Sequence, residues 1–124
     1  MKKNILLVDD ERQFVENLKT ALEMYDFEIT VAYDGREAIE KFYSSEPDLV
    51  IMDLQMPNFD GEQVAITFKK VKKGRHIPII VLSAIIDAER QDRLLRLGVE
   101  GCFMKPYDLE RLIAKIKEGQ KNEF

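Results

Sequence analysis

The sequence predicts an α/β fold, a parallel sheet of five strands covered by helices on both faces. Two observations carry this. Short apolar runs alternate five times with segments whose apolar residues recur every three or four positions, the pattern of repeated strand–helix units. Several of the runs also lack the polar–apolar alternation of a strand with one wet face, so both of their faces are covered. A chain of 124 residues is the size of one domain and buries a real core without cross-links.

Residues 4–8, NILLV, form the first strand, after which Phe14, Leu18, Ala21, Leu22 and Tyr25 recur at helical spacing. The second strand is read at 28–32, EITVA. Asp34 and Gly35 then open a helix in which Ala38, Ile39 and Phe42 share a face. Pro47 precedes the third strand, 48–53, DLVIMD. Val64, Ala65, Phe68 and Val71 mark a third helix, followed by Gly74 as a C-terminal glycine. The fourth strand is PIIVL at 78–82, and Leu94, Leu95 and Leu97 lie on a less regular helix that stops at Gly98. EGCFM at 100–104 is the fifth strand, and Leu109, Leu112, Ile113 and Ile116 make the fifth helix. The first, third and fourth strands are apolar enough to lie centrally, whereas the second and fifth carry polar residues, as edges do. These features point to a three-layer, flavodoxin-like (βα)5 arrangement with strand order 2-1-3-4-5. In that order ligands bind beyond the carboxyl ends of the first and third strands.

Composition narrows the function. Hydrophobic residues make up 45% and charged residues 34%, which is ordinary for a globular protein and argues against disorder. Nineteen basic against 23 acidic residues leave a net charge of −4, which offers no general attraction to nucleic acid or anionic lipid. The one cysteine, Cys102, excludes a disulfide framework within the chain and fits a reducing compartment. No apolar stretch approaches the roughly 20 residues that span a bilayer. The opening MKK and ILLV are too short for a signal peptide and run into Asp9 and Asp10. A cytoplasmic protein is expected, with one domain over 1–119 and a flexible tail over 120–124. The basic run KKVKKGRH at 69–76 reads as a solvated helix end that complements the macrodipole, with His76 at the surface beside it.

The chemistry gathers at the carboxyl ends of the strands. The first ends in Asp9 and Asp10, the third in Asp53, the fourth in Ser83 and the fifth in Lys105. All these ends share one rim of a parallel sheet, and the order 2-1-3-4-5 brings the three aspartates together. Two carboxylates about 4 Å apart repel by roughly 4 kcal/mol at an effective dielectric near 20, so the cluster takes up protons or recruits a cation. Oxygen ligands without His or Cys favour a hard divalent ion, and Mg²⁺ suits a site that keeps waters for exchange with a phosphoryl oxygen. One carboxylate there could act as a nucleophile towards phosphorus, with Lys105 as a point charge and the Ser83 hydroxyl as a donor. Helix capping is the plainer reading of Asp9 and Asp10, but it leaves Asp53 and Lys105 without a role.

The stretches ILLVDDE, DLVIMDLQMPNFDG, PIIVLSA and FMKPY, in this order and spacing, resemble the receiver domain of bacterial two-component response regulators over nearly the whole chain. The resemblance implies that Asp53 accepts a phosphoryl group from a phosphohistidine on a sensor histidine kinase or a histidine phosphotransfer protein. It implies that Asp10 binds Mg²⁺ directly, Asp9 assists through water, and the backbone carbonyl of Gln55 completes the metal site. Ser83 and Lys105 would hold the phosphoryl oxygens, Pro57 and Gly61 would shape the turn into the third helix, and Lys105–Pro106 would be a cis peptide. Such a domain catalyses only its own aspartyl phosphorylation and dephosphorylation and is otherwise not an enzyme. Phosphorylation would shift the surface of the fourth helix, fifth strand and fifth helix, read by an unknown downstream effector. That surface would act on a monomer or in a weak phosphorylation-dependent homodimer, without direct nucleic-acid or membrane binding.

One position departs from the pattern. Many members carry Tyr or Phe three residues before the lysine, where this chain has Cys102, and Phe103 cannot replace it because neighbouring strand residues point to opposite faces. Three other functions fit less well. A phosphatase for external phosphomonoesters would need a cap that the element pattern leaves no segment to build. A binding module without phosphorylation would not need the full acidic, hydroxyl and lysine set. A flavin site would need a phosphate-binding loop after the first strand, where the acidic rim repels an anion.

Overall fold

The structure, a computed structural model, describes residues 2–56, 59–70 and 76–121. Its elements run β1 (Asn4–Val8), α1 (Arg12–Glu23), β2 (Glu28–Ala32), α2 (Gly35–Ser45), β3 (Leu49–Met52), β4 (Gln55–Met56), β5 (Phe59–Asp60), α3 (Gly61–Lys70), β6 (Ile79–Ser83), α4 (Ala88–Leu97), β7 (Gly101–Met104) and α5 (Leu109–Lys121). Five strands form a parallel sheet in the order β2-β1-β3-β6-β7, and β4 pairs with β5 in a separate antiparallel hairpin. With that hairpin set aside, the order is the expected 2-1-3-4-5. The hairpin itself reads in the sequence only as a turn, because two-residue strands are too short to show a period.

The unbroken apolar runs follow from a core on each side of the sheet. Leu6, Val8, Val50, Met52, Ile79 and Val81 face one core, with Phe42 of α2, Val64 and Phe68 of α3 and Leu94 of α4. Ile5, Leu7, Leu49, Ile51, Ile80 and Leu82 face the other, with Val15, Leu18 and Leu22 of α1 and Leu112, Ile113 and Ile116 of α5. Alternate side chains of a strand point to opposite faces, so a strand covered twice must be apolar at every position. Phe42 and Phe68 stack with ring centroids 4.2 Å apart and planes inclined by 11°, which locks α2 to α3 across the first core.

The punctuation holds where it is described. The Asp34 carboxylate accepts the Glu37 N–H at 2.7 Å and caps α2. Gly98 ends α4 with φ 108°, a left-handed angle that suits glycine. The apolar face of α1 differs from the expected one. The helix ends at Glu23, so Tyr25 falls in the following turn and is exposed, while Val15 takes the inward place beside Leu18 and Leu22. On α4 only Leu94 is buried, Leu97 packs partly on the core, and Leu95 is exposed. Pro57, Val71 and Gly74 lie outside the described residues, as do residues 122–124; α5 itself runs to Lys121. No helix among the described residues is long and apolar enough to cross a membrane.

Candidate functional site

Parallel pairing aligns the strand ends. Val8 lies beside Met52 and Ser83 beside Met104, and the backbone ladder continues one residue past each end. The Asp53 N–H donates to the Val8 carbonyl at 2.9 Å, the Asp9 N–H to the Ala32 carbonyl at 3.1 Å, and the Lys105 N–H to the Ser83 carbonyl at 2.9 Å. Asp9, Asp53 and Lys105 are thereby fixed on one rim by the sheet itself.

Asp9 and Asp53 are buried, at 1% and 5% exposure, and Asp10 is exposed at the mouth. One carboxylate oxygen from each of the three lies within 4.8 Å of the others. The two buried carboxylates divide their oxygens alike. Asp9 accepts the Glu11 N–H with Oδ1 at 3.0 Å and Lys105 Nζ with Oδ2 at 2.7 Å. Asp53 accepts the Gln55 N–H with Oδ1 at 3.3 Å and turns Oδ2 to within 3.5 Å of Lys105 Nζ. Glu11 adds a fourth carboxylate, 3.3 Å from the same ammonium. Three carboxylates, those of Asp9, Asp53 and Glu11, thus surround one ammonium, and the all-oxygen set of Asp9, Asp10 and Asp53 has the charge and spacing that suit a hard divalent ion.

The electrostatics agree with this crowding. Burial pushes the Asp9 carboxyl above its ordinary range, and the charge of Asp53 adds to the shift; hydrogen bonds from Lys105 and the Glu11 N–H offset it only in part. Burial alone would lower Lys105, but the hydrogen bond and charge of Asp9, followed by Asp53 and Glu11, outweigh it and hold the ammonium above its usual range. The capping reading finds little support. Glu11 is the N-cap of α1 and makes no side-chain cap bond, and Asp9 turns one oxygen to the Glu11 N–H and the other to Lys105 rather than into the first turn of the helix.

The remaining residues close the site from its sides. Ser83 is fully buried at the end of β6, its hydroxyl donating to the Ile85 carbonyl at 3.4 Å. The Lys105–Pro106 peptide is cis, as expected. Gly61 plays a part the sequence reading understated. A Cβ there would stand 2.4 Å from the Asp53 carbonyl oxygen and 2.6 Å from Leu54 Cα, because the β4–β5 hairpin folds α3 back against the chain behind Asp53. Glu11 and Phe14 flank Lys105, places the sequence does not reveal: Phe14 reads there only as part of the apolar face of the first helix, and nothing in the local pattern marks Glu11. Cys102 and Phe103 do point to opposite cores. Cys102 is half-buried, and burial pushes its thiol up, which makes it a poor nucleophile. His76 is exposed, as expected.

A model of the response regulator receiver domain matches residues 5–117. The chain belongs to this family. Its solved relatives extend the likeness to the whole backbone of the receiver domain. A response regulator receiver domain protein from Methanospirillum hungatei is 25% identical with a TM-score of 0.92, the match covering 99% of this chain and 98% of that one. A two-component response regulator from Clostridium difficile is 27% identical with a TM-score of 0.89, covering 97% of each chain. The signal receiver domain of a DNA-binding response regulator from Colwellia psychrerythraea is 28% identical with a TM-score of 0.88, covering 94% of this chain and 97% of that one. The receiver domain places this chain in two-component signalling.

Proposed function

We propose that Asp53 of this receiver domain accepts a phosphoryl group from the phosphohistidine of a sensor histidine kinase or a histidine phosphotransfer protein. A carboxylate oxygen of Asp53 attacks phosphorus, the O–P bond forms as the P–N bond breaks, and the electron pair leaves on the imidazole nitrogen, which takes a proton from solvent. The supporting observation is the setting of Asp53: a buried carboxylate with one oxygen tied to its own loop and the other 3.5 Å from a lysine ammonium. Asp9, Asp10 and Asp53, with the backbone carbonyl of Gln55, would hold Mg²⁺, which when bound neutralises charge that would otherwise repel the phosphoryl anion. Lys105 is the residue that takes one phosphoryl oxygen, and Ser83 donates its hydroxyl to another.

The domain's chemistry is then confined to gaining and losing its own aspartyl phosphate. The new charge draws Ser83 away from the Ile85 carbonyl and repacks the surface of α4, β7 and α5, which a downstream effector reads in a monomer or a weak homodimer. The setting is the cytoplasm, and neither nucleic acid nor membrane is contacted directly. Mass spectrometry after incubation with Mg²⁺ and acetyl phosphate tests the reading. The parent is expected to gain one phosphoryl group and Asp53→Asn none. No gain in the parent, or a gain retained by the variant, overturns it.

A further inference from the structure

Lys105 faces a problem that the proposed reaction makes acute. Its side chain is long and flexible, and of the three carboxylates within reach the buried Asp9 and the outer Glu11 both lie closer to it than Asp53 does. A fourth neighbour is not an anion. The Phe14 ring lies beneath the ammonium, with Nζ 4.2 Å from its centroid, a distance at which the ring's negative face attracts a cation. Tyr107 meets Phe14 edge-on, with centroids 5.8 Å apart and planes at 90°, and both rings pack on the core beneath α1 and α5. The ring is therefore set by α1 on one side and by Tyr107, in the loop before α5, on the other. A cavity of about 430 Å³ lined by Glu11, Phe14, Ala84, Lys105, Pro106 and Tyr107 gives the lysine room to swing outwards if the ring is lost.

We infer that Phe14 is a positioning residue for phosphoryl transfer: its ring face, braced by Tyr107, holds the Lys105 ammonium beside Asp53 without competing as a counter-ion. This deepens the proposed reading of Asp53 and rests on it. An anionic residue at the same place would hold the lysine too tightly to yield it to a phosphoryl oxygen. An aliphatic one would leave it to Asp9 and Glu11.

The test uses acetyl phosphate as donor at saturating Mg²⁺, so that Asp53 gains the phosphoryl group while the P–O bond to acetate breaks and acetate leaves with the electron pair. Phe14→Leu is expected to phosphorylate about three- to tenfold more slowly than the parent, the factor a cation–π contact of this kind supplies. Phe14→Tyr, which keeps the ring face, is expected to restore the rate, and Mg²⁺ affinity by calorimetry is expected to stay the same in all three. A ring-current upfield shift of the Lys105 ε-methylene protons, seen by NMR in the parent and in Phe14→Tyr and absent in Phe14→Leu, reports the contact independently of rate. A parent lysine without that shift, a Phe14→Leu rate equal to the parent's, or a Phe14→Tyr as slow as Phe14→Leu overturns the inference while leaving Asp53 phosphorylation standing. A parent that gains no phosphoryl group instead overturns the reading beneath it, and the two fall together.

Discussion

Gly61 owes its identity to the backbone behind Asp53. Both atoms that a Cβ would strike, at 2.4 and 2.6 Å, belong to the main chain and cannot swing aside as a side-chain tip would. Gly61→Ala is expected to lower stability by about 1–3 kcal/mol, as overpacking does, seen as a lower urea midpoint with an unchanged slope. An unchanged midpoint would mean that the loop after Asp53 has slack. Aspartate, serine and lysine at strand ends could be recognised from residue type and position alone. The turn role of Gly61 was read from its motif, but its close approach to the backbone behind Asp53, and the parts of Glu11 and Phe14 beside Lys105, were not, because they depend on a neighbour supplied by a different part of the chain.

At the scale of elements, charge joins α3 to α4. Glu62, in the first turn of α3, accepts the Arg90 Nε at 3.1 Å and the Arg93 Nε at 3.1 Å, and Arg90 also reaches Asp60 of β5 at 2.6 Å. The hydrogen bond from Arg93, working against the cost of burial and joined by Arg90, holds Glu62 below the ordinary glutamate value of 4.5. A carboxylate whose pKa falls on folding stabilises the fold above its unfolded value and loses that contribution as pH drops through the folded one. Glu62→Gln is therefore expected to cost roughly 1 kcal/mol at pH 7. The gap between variant and parent in urea unfolding should close as pH falls below 4.5. A gap independent of pH would assign the loss to packing. The residue types of these charges stand in the sequence but their pairing does not, since Glu62 and its arginines lie about thirty residues apart and meet only once α3 and α4 pack side by side.

For the whole molecule, the two cores carry the stability and the rim opposes it. Three carboxylates approach within 4.8 Å and Lys105 pairs with two of them, so without a divalent cation their mutual repulsion is offset only in part. Asp53→Asn is accordingly expected to raise stability by about 1 kcal/mol in the presence of a chelator, read from the melting temperature by circular dichroism. Mg²⁺ at about a hundred times its Kd should stabilise the parent by about 2.7 kcal/mol, and the variant by less. A variant less stable than the parent in chelator would show that the rim is not repulsive, and a parent whose melting point ignores Mg²⁺ would show that it is not a cation site.

The (βα)5 order, the central strands and the residue types on the rim are all legible in the chain before it folds. Those follow from periodicity and from which runs can be buried on both faces, and both are local properties of the chain. The tertiary structure alone decided how close the carboxylates stand, which oxygen of each turns to Lys105, and which ring lies under that lysine. Such distances depend on strand register, on the β4–β5 hairpin and on the packing of α1 against α5, and no short window of sequence contains them.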